Sequence, residues 1–260
     1  MRKILKSIVL VAALISPTTA WADIRFGVAA EPYPPFTSKD ASGKWVGWEV
    51  DFMNALCAKL SEKCTIVEVA WDGMIPALDA KKFDVVLASM SITDKRKAVI
   101  DFSSTYYNSS AQLLGAAGAA SYKSPADLNG KRVGVQSASI YQAYAQKYFT
   151  PAGIEIKTYG KEDDALADLA AGRIDYVLGE ALALDAMLNS PVGSCCKVAG
   201  TVTPDASIFG IGVGLGLRKG DGDLQQRLNG AIKSIVTSGE LAAITQRNHL
   251  TGKIVLPDAQ

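Results

Sequence analysis

Residues 65–89 read TIVEVAW, then DGMIPALDAKK, then FDVVLAS. The outer two pieces are apolar runs of strand length, and the middle one has the period of a short helix. Strand, helix and strand in that order make a βαβ unit, and such units build parallel sheets. The alternation continues in both directions. DIRFGVAA (23–30) is a strand, and Trp48 to Lys63 sets Met53, Leu56, Cys57 and Leu60 along one helical stripe. After a polar, Gly/Ala-rich passage the pattern restarts. Arg132 to Gln136 is a strand and SIYQAYAQKYF a helix. IEIKTYG and IDYVLG are strands around the helix EDDALADLAAGR. SPVGSCCKVAG reads as loop and IFGIGVGLGLRK as extended chain. DLQQRLNGAIKSIVTSG and ELAAITQRN close the chain as helices. Two α/β sets of about a hundred residues each predict two lobes.

The first 22 residues, MRKILKSIVLVAALISPTTAWA, carry a basic start, a short apolar run and a small-x-small ending at Ala20-Trp21-Ala22. That order is a cleaved secretory signal, too short for a permanent span. The remainder holds 24 basic and 26 acidic residues. Its slight negative charge argues against nucleic acid or an anionic membrane as partner. Four cysteines in an exported chain point to an oxidising compartment. Cys57 and Cys64 have a spacing that suits a bridge across a helix-to-strand turn. Adjacent Cys195 and Cys196 leave a vicinal bridge or free thiols both open. His249 is the only histidine, so a histidine metal site or catalytic triad lacks its material. No metal and no cofactor is expected.

The residues that offer chemistry sit where strands end. In AEPYPPF, Glu31 and Tyr33 lie on a loop stiffened by three prolines. Doubly wound sheets place ligands at such carboxyl ends. Trp71 ends the next strand and offers an aromatic wall. FDVVLAS runs into Ser89 and Ser91, small hydroxyls that leave room, and then Arg96, a fork for a carboxylate. In VGVQSASIYQ, the N–H groups near Ser139 and Ile140 open a helix and favour an anion. Glu180 ends IDYVLG and can meet a cation.

In order the chain shows EPYPPF, GKWVGWEVDFMNALC, WDGMIPALDAKKFDVVLASMSITDKR and IDFSSTYY, then DLNGKRVGVQ, LAAGRIDYVLGE and GLRKGD. This succession resembles the polar-amino-acid family of periplasmic solute-binding proteins, the receptors of ABC importers. It is most similar to the lysine/arginine/ornithine-, histidine- and opine-binding branch. The resemblance implies an α/β, two-lobed type II clamp, each lobe a doubly wound, mostly parallel sheet on a two-segment hinge. Lobe 1 would span 23–109 and 208–260, and lobe 2 would span 110–207. It implies a monomeric periplasmic receptor, not an enzyme, that delivers a polar, basic amino acid to an inner-membrane ABC permease. It implies the Cys57–Cys64 disulfide that this branch carries. By the same resemblance Arg96 pairs with an α-carboxylate, shared by the N–H groups of Ser91, Ser139 and Ile140. Ser91 Oγ, the Ser89 carbonyl and Glu180 hold an α-ammonium. Tyr33 and Trp71 sandwich the side chain, Glu31 sits near its distal end, and Ala88 and Gln136 line the cleft. The chain departs from the pattern at Glu180, where aspartate is usual, and at SASI with the bulky Tyr141 behind it. Those departures keep an opine or other amine-bearing acid as an alternative ligand, and a cyclohexadienyl dehydratase-like activity as a remoter one.

Overall fold

The computed structural model describes residues 23–258, so the signal sequence read over 1–22 lies outside it. From the N-terminus, β1 (Ile24–Ala29) leads through the short β2 (Ser38–Lys39) and β3 (Trp45–Val46) to α1 (Trp48–Leu60). Then come β4 (Cys64–Val69), a 3₁₀ turn at Trp71–Gly73, α2 (Met74–Asp79), β5 (Val85–Val86) and α3 (Asp94–Lys97). β6 (Asp101–Tyr107) and β7 (Ala111–Ala116) follow, with β8 (Arg132–Gln136), α4 (Ile140–Tyr148), β9 (Glu155–Tyr159) and α5 (Glu162–Ala170). The remaining elements are β10 (Tyr176–Glu180), α6 (Ala181–Leu188), β11 (Cys196–Thr201), α7 (Ala206–Phe209), β12 (Val213–Leu217), α8 (Gly222–Thr237) and α9 (Glu240–Arg247).

The strands form two five-stranded sheets, ordered β4-β1-β5-β12-β6 and β11-β7-β10-β8-β9. In each, one strand opposes the other four. β12 runs antiparallel to β5 and β6, and β7 runs antiparallel to β10 and β11. The two lobes are therefore mostly parallel and doubly wound. The chain crosses from the first sheet to the second between β6 and β7 and returns between β11 and β12.

Period-two alternation splits each sheet between two cores. On β5, Val85 faces the core built with Phe26, Trp48, Phe52 and Leu56, while Val86 faces Met74, Leu78 and Phe83 on the other side. Val133 and Val135 of β8 bury against Tyr144 and Phe149, and Gly134 leaves room for Ile174 and α5 behind. Helices cover both faces of both sheets, which leaves the carboxyl ends of the strands as the open edges.

Two readings of the sequence are corrected here. SPVGSCCKVAG holds an edge strand, because Cys196–Thr201 pairs with β7 although only Ala199 is buried. IFGIGVGLGLRK is extended only over Val213–Leu217. Its start closes α7, capped by Asp205, whose side chain accepts from Ser207 N–H. The helix Ala181–Leu188 lay unread between a strand and a loop.

Cys57 and Cys64 are joined, clamping the end of α1 to the start of β4. Cys195 and Cys196 are also joined. The Cys57–Cys64 loop is short, so its loss is expected to cost about 2 kcal/mol. Urea unfolding of the Cys57→Ser/Cys64→Ser double variant measures that cost, and an unchanged midpoint would remove the bridge from the stability of this lobe.

Candidate functional site

Arg96 is built into place by local structure. Thr93 caps α3, its hydroxyl accepting from Arg96 N–H at 3.3 Å. From that single turn the guanidinium turns into the cleft. Nη1 donates to the Ser91 carbonyl at 3.0 Å, and Nη2 reaches the Ala138 carbonyl of the second lobe at 3.5 Å. Its carbon lies 5.4 Å from the centre of the Trp71 ring. Burial pulls the Arg96 pKa down to about 10, so the group is still a cation at neutral pH. No carboxylate among the described residues forms an ion pair with it. A half-buried guanidinium that meets only carbonyls and a ring is set up to receive an anion.

Two residues flanking Arg96 hold backbone conformations that side-chain-bearing residues avoid. Ser89 has φ 49° and Ala138 has φ 55°. Such strain costs about 1–3 kcal/mol each and persists only where neighbours enforce it. At Ser89 the enforcer is Glu49, fully buried at the start of α1. Its carboxylate accepts from Ser89 N–H at 2.9 Å, from Ser89 Oγ at 3.1 Å and from the Tyr106 hydroxyl. At Ala138 it is Gln142 of α4, whose Oε1 accepts from Ala138 N–H at 2.8 Å. Ser139 caps α4, accepting from Gln142 N–H at 3.1 Å and donating to the Gln136 carbonyl at 2.6 Å. The first N–H groups of that helix, Ser139 and Ile140, have no intrahelical acceptor and point out of its positive end.

The aromatic walls are fixed as firmly. Tyr33 stacks on Phe36 at 5.7 Å, and Phe36 stacks on Tyr107 at 5.1 Å. Trp71 N–H donates to Glu31 Oε2 at 3.3 Å, and Trp71 Nε1 donates to the Ser137 carbonyl at 3.1 Å. The last of these bonds crosses between the lobes, so the structure is a closed clamp.

One cavity gathers most of the residues read from the sequence. Lobe 1 contributes Glu31, Tyr33, Trp71, Ala88, Ser89, Ser91 and Arg96. The second lobe contributes Gln136, Ser139 and Ile140. Glu180 stands next to this cavity. Its Oε2 caps α6, accepting from Ala183 N–H at 2.7 Å, and its Oε1 is buried without a hydrogen-bond partner. It lines an adjoining cavity that shares Ser89, Ser91, Ile140 and Tyr141 with the first.

Sequence reasoning missed three participants. Glu49 reads as an ordinary first-turn acid of α1. Tyr141 reads only as bulk beside SASI. Glu162 sits in the acidic run EDD, which reads as a solvated helix start. In the structure Glu162 is 4 % exposed, lines the Arg96 cavity and accepts no hydrogen bond at either oxygen. Its Oε1 lies over Gly179, where an added Cβ would come within 2.8 Å. No local signal marks it, because the burial arises from β10 passing beneath.

Burial, reinforced by Glu180 and Asp163, raises the Glu162 pKa to about 8, and burial raises that of Glu180 to about 7. The ordinary value of both is 4.5. The folded protein therefore keeps protons that the unfolded chain surrenders. Both groups cost nothing below about pH 4.5 and an increasing amount up to pH 7–8. Without added ligand, the melting temperature is expected to fall between pH 5 and pH 8, and Glu162→Gln is expected to flatten the decline. Thermal unfolding at four pH values tests this, and a flat wild-type profile would refute it. Paired acids such as Asp84 and Asp175, whose pKa values are lowered, act only in the acid range below this window.

Comparison with known proteins agrees with this architecture. The family model of bacterial extracellular solute-binding proteins, family 3, matches residues 24–251. The L-arginine-binding protein of Pseudomonas aeruginosa is 39% identical over 238 residues, covering 90% of this chain and 92% of its own. The histidine-binding periplasmic protein of Salmonella typhimurium is 37% identical over 251 residues, with 95% and 96% covered. Among solved structures, an ancestral arginine-binding protein bound to arginine superposes with a TM-score of 0.79 at 32% identity. That match covers 86% of this chain and 97% of the other. With the family model spanning nearly all the described residues and these relatives aligned end to end, the chain belongs to the bacterial extracellular solute-binding proteins, family 3.

Proposed function

We propose that this protein is a periplasmic receptor that closes on a basic amino acid of the arginine, lysine, ornithine and histidine class and passes it to an inner-membrane ABC permease. The observation that carries the reading is Arg96, a half-buried cation that no carboxylate among the described residues neutralises, beside an aromatic wall and a helix start. A zwitterion leaving water needs both its charges matched. Arg96 with the N–H groups of Ser139 and Ile140 serves the carboxylate. Ser89 and Ser91 offer oxygens to the ammonium. A cation between Tyr33 and Trp71 gains about 0.5–2 kcal/mol from the ring faces. The names of the relatives, arginine- and histidine-binding proteins, fit the same ligand class.

Lobe 1 holds Arg96, Tyr33 and Trp71, so the ligand docks there first. Closure then adds the α4 terminus, by a hinge at the two crossings. Calorimetric titration of the purified mature protein with arginine, lysine, ornithine and histidine is expected to show one-to-one binding to at least one of them. Silence with all four, or turnover of prephenate or arogenate, would overturn the reading.

A further inference from the structure

We propose that Glu162, carried by the second lobe, is the counter-ion for the ligand's side-chain cation, and that it selects cationic over neutral side chains and gives up a proton as the ligand binds. The proposal rests on the receptor reading above and adds a specificity residue to it.

Three observations lead there. First, Glu162 is an acid 4 % exposed with two oxygens that no donor satisfies, in the same cavity as Arg96, Tyr33 and Trp71. A buried carboxyl without donors is costly and awaits a partner. Second, Glu180 spends one oxygen on the cap of α6 and shares its cavity with Ser89 and Ser91, the residues that offer oxygens to the ammonium. The second lobe thus brings a different acid to the Arg96 cavity. Third, Glu162 shares its cavity with Tyr33 and Trp71, the walls proposed for the side chain, and neither ring lines the cavity of Glu180. The ammonium of an α-amino acid is two bonds from its carboxylate carbon and must stay near Arg96. The acid beside Tyr33 and Trp71 therefore meets the far end of the side chain.

The groups around Glu162 leave it protonated before binding. Glu180 at the end of β10 and Asp163 beside it on α5 add negative charge. Tyr33 and Tyr141 face it as neutral phenols, both held well above the usual range by burial. Lys161 precedes it on the cavity rim but is exposed to water. On the strands beneath α5, Arg132 of β8 is ion-paired with Asp175, and Tyr159 of β9 donates to Asp168. No cation among them serves Glu162, so an arriving guanidinium or ammonium is what favours its charged form.

The test compares arginine with citrulline, which has the same length and a neutral end, on wild type and Glu162→Gln. Calorimetry is run at pH 7 in phosphate and in Tris, whose different ionisation enthalpies count protons. Wild type is expected to prefer arginine and to release about one proton per arginine bound. Glu162→Gln is expected to cut the arginine-to-citrulline preference by roughly ten- to a hundredfold and to abolish the proton release. An unchanged preference in the variant overturns the proposal. So does an equal loss for both ligands, which would place Glu162 on the shared ammonium, and so does arginine binding to wild type without proton release. A wild type that binds no amino acid of the class overturns the receptor reading itself, and is thereby told apart from failure of Glu162 alone.

Discussion

Arg96→Ala is expected to weaken binding of the cognate amino acid by roughly a hundredfold to several thousandfold, the loss that follows removal of one partner from a buried ion pair, about 3–5 kcal/mol. The size follows from where the side chain stands. Arg96 is half-buried against Trp71, its fork already spends donors on the Ser91 and Ala138 carbonyls, and the remaining N–H groups converge on the cavity with the first turn of α4. A ligand carboxylate brought there without Arg96 would be stripped of water and met by amides alone. Arg96→Lys keeps the charge but loses the planar fork, and is expected to recover only part of the affinity. Stability should change little, because the guanidinium makes no ion pair within the described residues. Titration calorimetry with circular dichroism as the fold control decides the matter. Alanine binding within threefold of wild type would strip Arg96 of its role.

How much of this was legible from the sequence depends on whether a residue's role is local. Arg96 follows a strand end and two small residues, and each of those features is local, so its direction into the cleft could be read. The βαβ unit at 65–89 was legible for the same reason: apolar runs and a short helical period are properties of neighbours. β11 was not, since an edge strand with two half-buried glycine and cysteine positions and exposed Lys197 and Val198 has no apolar signature. Glu180 was legible as an acid at a strand end. Its capping bond was not, because Oε2 answers to Ala183 N–H, three residues on in a helix the sequence concealed among alanines and leucines. Glu162 and Glu49 were invisible for a stronger reason. Each occupies the first turn of a helix, where acids are normal, and each is buried by a segment distant in the chain: β10 under Glu162, and β6 with Ser89 around Glu49. Pattern reading sees the helix end and assigns the acid to solvent.

Glu49 carries the largest expected effect on folding. Glu49→Ala is expected to destabilise the protein by about 3–5 kcal/mol, a loss typical of broken buried polar networks. Its carboxylate accepts from Ser89 N–H, Ser89 Oγ and the Tyr106 hydroxyl, with no access to water. Alanine would take the acceptor from a buried Tyr106 hydroxyl and two half-buried Ser89 donors, each at up to about 1–3 kcal/mol, and leave a void beside the stacked rings of Trp48, Phe52 and Tyr106. Some of that is recovered by relaxation, which is why the expected total lies below the sum. Glu49→Gln separates shape from charge. Its amide oxygen can serve Ser89 N–H and Tyr106 together, and Ser89 Oγ can reverse its hydrogen to accept from the NH₂ group. The glutamine variant should therefore lose only about 1 kcal/mol. Burial already raises the Glu49 pKa, so the lost charge is one the fold holds at a cost. The two variants also differ at the ligand. Ser89 keeps its φ of 49° only while Glu49 holds its N–H. In the alanine variant that residue is expected to relax toward ordinary backbone, carrying the Ser89–Ser91 rim away from the cavity that it lines. Urea denaturation therefore should rank wild type, glutamine and alanine in that order, and ligand affinity should fall in the same order. An alanine variant within 1 kcal/mol of wild type would mean that the strained turn is held by something other than Glu49.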